Sequence, residues 1–221
     1  MARTARIVVP EVPHHVTQRG VRSMAIFNTD RDRIAYMTIL SKVGKKYGTR
    51  FCCWCLMENH VHLVAVPETR DSLARAIGIA HHTYTQMFNK TMGLKGHLFG
   101  ERFYSMPMDW KHCQAVTRYI HRNPIRAGLV TRVEEYKWSS ALYFLRKIYR
   151  DPLVNDDRLL NLTDNWDDVF ASGMDIDELN QVRKTTLSGR PFGDESFITR
   201  VEELTGCDLS IRKQGRPWKN K

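Results

Sequence analysis

Two short stretches of this chain can do chemistry together: His60-Val61-His62, and Tyr119 with Asn123 about 60 residues later. In an extended strand, residues two apart point to the same face. A strand over 60–62 therefore aims two imidazoles at one divalent metal ion. In a helix, residues four apart share a face at about 5–6 Å between Cβ atoms, which sets the Tyr119 phenol beside the Asn123 amide. A metal site and an oxygen nucleophile are what cleaving a phosphodiester through a covalent protein–DNA intermediate requires. Each piece alone has a plainer reading. A His-x-His pair arises readily in a chain with nine histidines, and a helical tyrosine is commonly a boundary residue with a wet hydroxyl. The surrounding elements have to decide.

His14 to Arg19 reads as a short strand stopped by Gly20. Asn28-Thr29-Asp30 offers helix N-caps, and Ile34, Tyr36, Met37, Leu40 and Val43 continue at helical spacing to Tyr47-Gly48. Arg50 to Met57 is a β-rich run. A turn at Glu58-Asn59 leads into a second alternating run, His60 to Val66, which Pro67 closes. Asp71-Ser72 caps a helix whose apolar stripe is Leu73, Ile77, Ala80, Tyr84, Phe88 and Met92. A fourth strand is expected over Arg102 to Met106, and Asp109 caps a third helix ending near Asn123-Pro124, because the residue before proline disfavours the α region. Strand–helix–strand–strand–helix–strand is the split βαβ order of ferredoxin-like α+β folds. Its sheet places the His60–Val66 strand centrally.

Length allows one sizeable domain, or one domain with a smaller appendage. No apolar run approaches eighteen residues and no signal-peptide pattern opens the sequence, so a soluble cytoplasmic protein is expected. Five cysteines give no disulfide framework. Strand alternation sends Cys52 to one face and Cys53 and Cys55 to the other, as packed reduced thiols.

Charge is divided sharply along the chain. Residues 1–150 carry 24 Lys and Arg against 10 Asp and Glu; residues 151–180 carry one Arg against nine acids; residues 181–221 carry nine basic against five acidic. The basic part suits a polyanion held by Coulomb attraction and counterion release. No basic amphipathic helix argues for a membrane surface. Nucleic acid is the expected partner, and the acidic segment reads as a solvated face or a shield over the basic groove.

The sequence resembles the single-tyrosine HUH (IS200-like) transposases, and within them the REP-associated tyrosine transposases of bacteria. The resemblance runs through Pro13 to Gly20, Cys55 to Leu63, Gly96 to Phe103, Arg118 to Val130 and Trp138-Ser139-Ser140, together with the basic tail. It implies a ferredoxin-like catalytic domain over 1–150, an added helix bearing the tyrosine, and a mainly helical extension over 151–221 with a basic tail at 210–221. It further implies Mg²⁺ or Mn²⁺ dependence and cleavage of single-stranded DNA beside an imperfect hairpin, in a nucleoid-associated protein. His60 and His62 fall on the metal-ligand positions, Tyr119 on the nucleophile, and Asn123 on the polar position that completes the metal site. Glu58 departs from the proline expected before Asn-His and loosens that turn, or lends a carboxylate near the metal. Gly100 departs from the glutamine that relatives often carry.

A phenol of pKa about 10 is a poor nucleophile at neutral pH, so charge withdrawal from the phosphate by a cation matters. The product would be a 5′-phosphotyrosine and a free 3′-OH, and the ester conserves bond energy for rejoining. Imidazole and amide ligands suit Mn²⁺ better than Mg²⁺ on softness grounds, while Mg²⁺ tolerates an oxygen ligand with waters. Single strands expose bases to aromatic stacking while basic side chains track the backbone. Arg19, Arg22, Arg102, Arg118 and Arg126 lie near the proposed site elements, with Phe103 and Tyr104 placed to stack. Gly215-Arg216-Pro217-Trp218-Lys219 reads either as a minor-groove hook using Arg216 and Lys219 or as a flexible basic tail. Monomer and homodimer both stay open. The alternatives are a catalytically silent DNA-binding or regulatory protein on the same fold, and an RNA-binding sheet, which would want solvent-facing aromatics that His60 to Val66 lacks.

Overall fold

The computed structural model describes residues 6–209. Strands β1 (His14–Arg19), β2 (Thr49–Leu56), β3 (His60–Pro67) and β4 (Tyr104–Pro107) form one antiparallel sheet of order β2-β3-β1-β4. The expected α+β architecture is present and β3 lies inside the sheet. Helix α1 (Asp30–Lys46) crosses from β1 to β2, and α2 (Ser72–Met92) from β3 to β4. Thr29 and Asp32 close a capping box on α1. Gly93, left-handed at φ 65°, ends α2.

Alternation divides the sheet between two cores. On one face Val16, Trp54, Leu56 and Leu63 pack against Tyr36 and Leu40 of α1 and Leu73, Ile77 and Tyr84 of α2. On the other, Val64, Val66 and Met106 meet α3 (Trp110–His121) and the helices that follow. These are α4 (Asn123–Arg126), α5 (Ala141–Phe144), α6 (Trp166–Ala171) and α7 (Ile176–Ser188), whereas α8 (Glu195–Thr205) packs through Phe197 and Val201 on Val9 and Leu209. The extension thus covers the sheet's second face, contributing Leu159, Trp166, Phe170 and Val182 to its core. Its acids are largely spent on structure. Asp175 and Asp194 cap α7 and α8, Asp151 accepts from the Trp54 indole, and buried Asp156 pairs with Arg158 and Arg50.

Local departures from the expected pattern have clear causes. A register shift between Phe51 and Cys53 puts an extra residue into β2. Cys52 therefore joins Cys53 and Cys55 in the second core, whereas simple alternation would have separated them. All three thiols are free and buried, and burial pushes them upward in pKa. Strand β4 begins at Tyr104, two residues later than expected, because Phe99 bridges Gly20 instead. Helix α3 ends at His121, and the chain turns at Arg122 (φ −86°, ψ 0°) before restarting as α4 at Asn123. Pro124 has no N–H to continue the ladder. Among the described residues no helix is long and apolar enough to cross a membrane.

Candidate active site

Antiparallel register sets the two histidines. Arg19 pairs with His60 and Thr17 with His62 across β1 and β3, so all four side chains share the sheet face that α3 covers. The turn before His60 is tied from behind. Gly20 N donates to Asn59 O at 2.9 Å, and Ile26 N donates to Glu58 O at 2.9 Å. Gly20 is required there, since a Cβ would lie 2.3 Å from Met24 O. Glu58 itself is exposed and holds this turn through its carbonyl. At Gly100 a side chain would meet nothing nearer than Arg19 O at 3.5 Å.

One cavity of about 490 Å³ collects side chains from every part of this frame: Arg19 of β1, His60 and His62 of β3, Tyr104 of β4, Tyr119 of α3, Asn123 and Arg126 of α4, and Arg183 and Thr186 of α7. The His60 and His62 rings meet edge to face with centroids 4.9 Å apart. The Tyr119 ring stands perpendicular to His62 at 5.7 Å. Tyr119 is 9% exposed and His62 4%. Burial, with Arg19 and Arg126 nearby, holds His60 at a pKa of about 4. Burial, with His60 and His15 as neighbours, lowers His62 as well. Both imidazoles are therefore neutral at physiological pH, the state in which nitrogen carries a lone pair for a metal.

The donor set fits a divalent ion. His60 Nδ1 lies 2.6 Å from Asn59 Oδ1, while Asn59 Nδ2 donates to Ser23 O at 3.1 Å. Asn59 therefore offers its oxygen, His60 donates from Nδ1, and Nε2 keeps its lone pair. His62 Nδ1 is likewise engaged, by His15 Nε2 at 2.9 Å. Asn123 Oδ1 accepts from Arg126 at 2.6 Å and retains a second lone pair. Its buried Nδ2 has no hydrogen-bond partner among the described residues. No group of three His, Cys, Asp or Glu arranged to hold a metal occurs among the described residues, so a cation here would rest on two imidazoles, an amide and water or phosphate oxygens.

Arg126 ties Tyr119 to Asn123. Its guanidinium lies 4.4 Å from the Tyr119 ring centroid and donates to Tyr119 O at 2.7 Å as well as to Asn123. Burial lowers its pKa; an arginine remains charged regardless.

The basic residues anticipated from sequence separate into groups. Arg19 and Arg126 line the cavity. Arg102 lines an adjoining cavity that shares Tyr104 and Leu187 with the first. Arg118 is paired with Glu178 and Ser172 of the extension, and Arg22 lies exposed on the turn after β1. Phe103 is buried beneath Arg6, whereas Tyr104 is exposed. Arg216 and Lys219 lie outside the described residues. Sequence reasoning overlooked three groups: His15, Arg183 and Thr186. His15 sits on the same β1 face as Thr17, a signal that strand alternation carried. Nothing in the sequence linked α7 to the site.

The four-stranded antiparallel α+β sheet with its covering helices can be set beside known proteins. The chain belongs to the IS200-like transposase family, whose model matches residues 9–123. A solved REP-associated tyrosine transposase bound to a REP hairpin superposes with a TM-score of 0.54 at 18% identity, over 72% of this chain and 93% of that one. A protein of Deinococcus radiodurans R1 described as a transposase gives a TM-score of 0.39 at 17% identity, over 55% of this chain and 97% of that one. No curated protein matches the sequence.

Proposed function

We propose that this transposase-family chain is a strand-transferase that cleaves and rejoins single-stranded DNA beside REP-like hairpins through a 5′-phosphotyrosine on Tyr119. The observation that carries the proposal is the meeting of Tyr119, His60, His62, Asn123 and Arg126 at one cavity. The Tyr119 oxygen loses its proton and bonds to phosphorus. The bond to the 3′-oxygen breaks, and that oxygen leaves as a 3′-hydroxyl after taking a proton. Attack by another 3′-hydroxyl reverses the step, restoring the phenol and joining new ends without ATP. A Mg²⁺ or Mn²⁺ ion held by His60, His62 and Asn123 would withdraw charge from the phosphate oxygens and orient the leaving oxygen. Arg126 holds the Asn123 amide and the nucleophile's ring in register. Arg19 and Arg183 supply positive charge for the flanking backbone, and the exposed Tyr104 offers a face for an unpaired base. The REP hairpin bound by the structural neighbour supports the hairpin as substrate class.

The test uses purified protein, labelled oligonucleotides carrying REP-like hairpins, and Mn²⁺ or Mg²⁺. Cleavage, rejoined products and a covalent protein–DNA species are expected, each lost with EDTA and in His60→Ala and His62→Ala. Hairpin binding with no cleavage in any metal would instead make the protein a silent DNA-binding member of the family, and EDTA-resistant cleavage would overturn the metal assignment.

A further inference from the structure

A buried polar chain runs from the C-terminal extension to the metal-facing strand. Thr186, on α7, donates its hydroxyl to the carbonyl of Val182 one turn earlier, at 2.7 Å, a common arrangement for threonine inside a helix. The same oxygen lies 3.0 Å from His15 Nδ1, and His15 Nε2 lies 2.9 Å from His62 Nδ1. The His15 and His62 ring planes lie 17° from parallel with centroids 5.2 Å apart, as an in-plane contact between the two ring edges requires. His15 and His62 are both buried, and α7 lies beyond residues 9–123, the part that the family model matches.

Two proton arrangements can run along this chain, and the distances select one of them. The Thr186 hydroxyl lies nearer to Val182 O, at 2.7 Å, than to His15 Nδ1, at 3.0 Å, so its single proton is assigned to the carbonyl; the Met106 sulfur, at 3.8 Å, is a far weaker acceptor. Toward His15 the Thr186 oxygen therefore offers only lone pairs, and His15 Nδ1 must carry hydrogen. A neutral imidazole bears one N–H, which makes His15 Nε2 an acceptor. His62 Nδ1 must then be the donor across the 2.9 Å contact, and His62 Nε2 is left with its lone pair. Both rings are buried, where an uncompensated imidazolium charge is costly.

We propose that Thr186 is a positioning residue that, through His15, locks His62 in the tautomer with Nδ1 protonated and Nε2 unprotonated. The lock presents a ligand nitrogen that needs no proton rearrangement before a cation is bound; that consequence rests on the metal reading above, whereas the tautomer does not. An outer partner that fixes the tautomer of a ligating histidine typically contributes about 10–100-fold in metal affinity. A segment outside the matched family region thus completes the site.

Nitrogen-15 NMR of histidine-labelled, metal-free full-length protein reads the tautomer directly, without DNA or cation. Wild type should show His62 protonated at Nδ1 alone. Thr186→Val, which keeps the shape and removes the acceptor, should release His15 and give a His62 signal mixed between both tautomers or shifted to Nε2–H. Thr186→Ser should restore the wild-type spectrum. Mn²⁺ affinity should fall about 10–100-fold in Thr186→Val and recover in Thr186→Ser. A wild-type spectrum with His62 protonated at Nε2 overturns the proposal and needs no variant. So does Thr186→Val with the wild-type tautomer, or Thr186→Ser as impaired as Thr186→Val, which would make the role one of packing. A wild type that has the expected tautomer yet cleaves no DNA would sustain the lock while refuting the proposed function.

Discussion

Arg126 and Asn123 should behave as one unit, and a double-mutant cycle measures whether they do. Asn123→Ala removes an amide that water can partly replace, so a loss of about 10–100-fold in cleavage is expected, or about 1.4–2.7 kcal/mol of barrier. Arg126→Ala leaves the amide in place but takes away the 2.6 Å hydrogen bond that aims it, and should forfeit most of the same energy. It also removes the guanidinium stacked 4.4 Å from the Tyr119 ring, worth about 0.5–2 kcal/mol, for a total of about 2–4 kcal/mol. The aiming contribution is shared by the two single variants. The double variant should therefore cleave about as poorly as Arg126→Ala alone, with a coupling energy near 1.4–2.7 kcal/mol. Single-turnover cleavage at saturating DNA isolates the chemical step from binding, and thermal unfolding of each variant checks that the fold survives. Additivity within about 0.5 kcal/mol, the behaviour of independent sites, would refute the claim that Arg126 works through Asn123.

Stability should fall on acidification. His14 and His121 are held at pKa values of about 4 and His81 at about 3, in each case by burial. Their unfolded value is near 6.5, so the unfolded chain takes up these protons first, and stability present above pH 6.5 is lost as pH falls toward the folded values. From pH 6.5 to 5 each such imidazole costs the native state about 1.6 kcal/mol. Urea denaturation across that range should show the decline, and a flat profile would mean that these rings are solvated. The last eleven residues carry five positive charges and no acid. Removing Ile211 to Lys221 should flatten the dependence of log K on log salt by about 0.7 per lost phosphate contact on single strands while leaving single-turnover cleavage unchanged; a faster rate would instead show that the tail inhibits.

Strand β3, its two histidines and helix α3 were legible because alternation, caps and proline punctuation are local signals. The β2 bulge was not, since an extra residue leaves no compositional mark, and it moved Cys52 to the other face. Helical spacing predicts Tyr119 and Asn123 as partners on one continuous helix, yet the chain bends between them at Arg122 and the pair still meets at the cavity. Alternation marked the face of His15, but its partner was hidden by register. Its neighbour His14 turns instead to Val9 and Val12, and only the antiparallel pairing of β1 with β3 sets His15 diagonal to His62. Thr186 was hidden by distance. The acids of the region before it form the solvated face that composition suggests, most of them being exposed, but composition does not show that Leu159, Trp166, Phe170 and Val182 pack onto the sheet and carry α7 to the site.

The most direct measurement is the location of the covalent bond. Protein incubated with a hairpin-bearing oligonucleotide and Mn²⁺, digested with protease and nuclease, should yield by mass spectrometry one nucleotide-modified peptide with the phosphate on Tyr119. Tyr119→Phe should give no adduct while binding the hairpin within about threefold of wild type, because one hydroxyl contributes little to a charge-dominated interface. An adduct that persists in Tyr119→Phe, or maps to Tyr104 across the cavity, would contradict the assignment of the nucleophile.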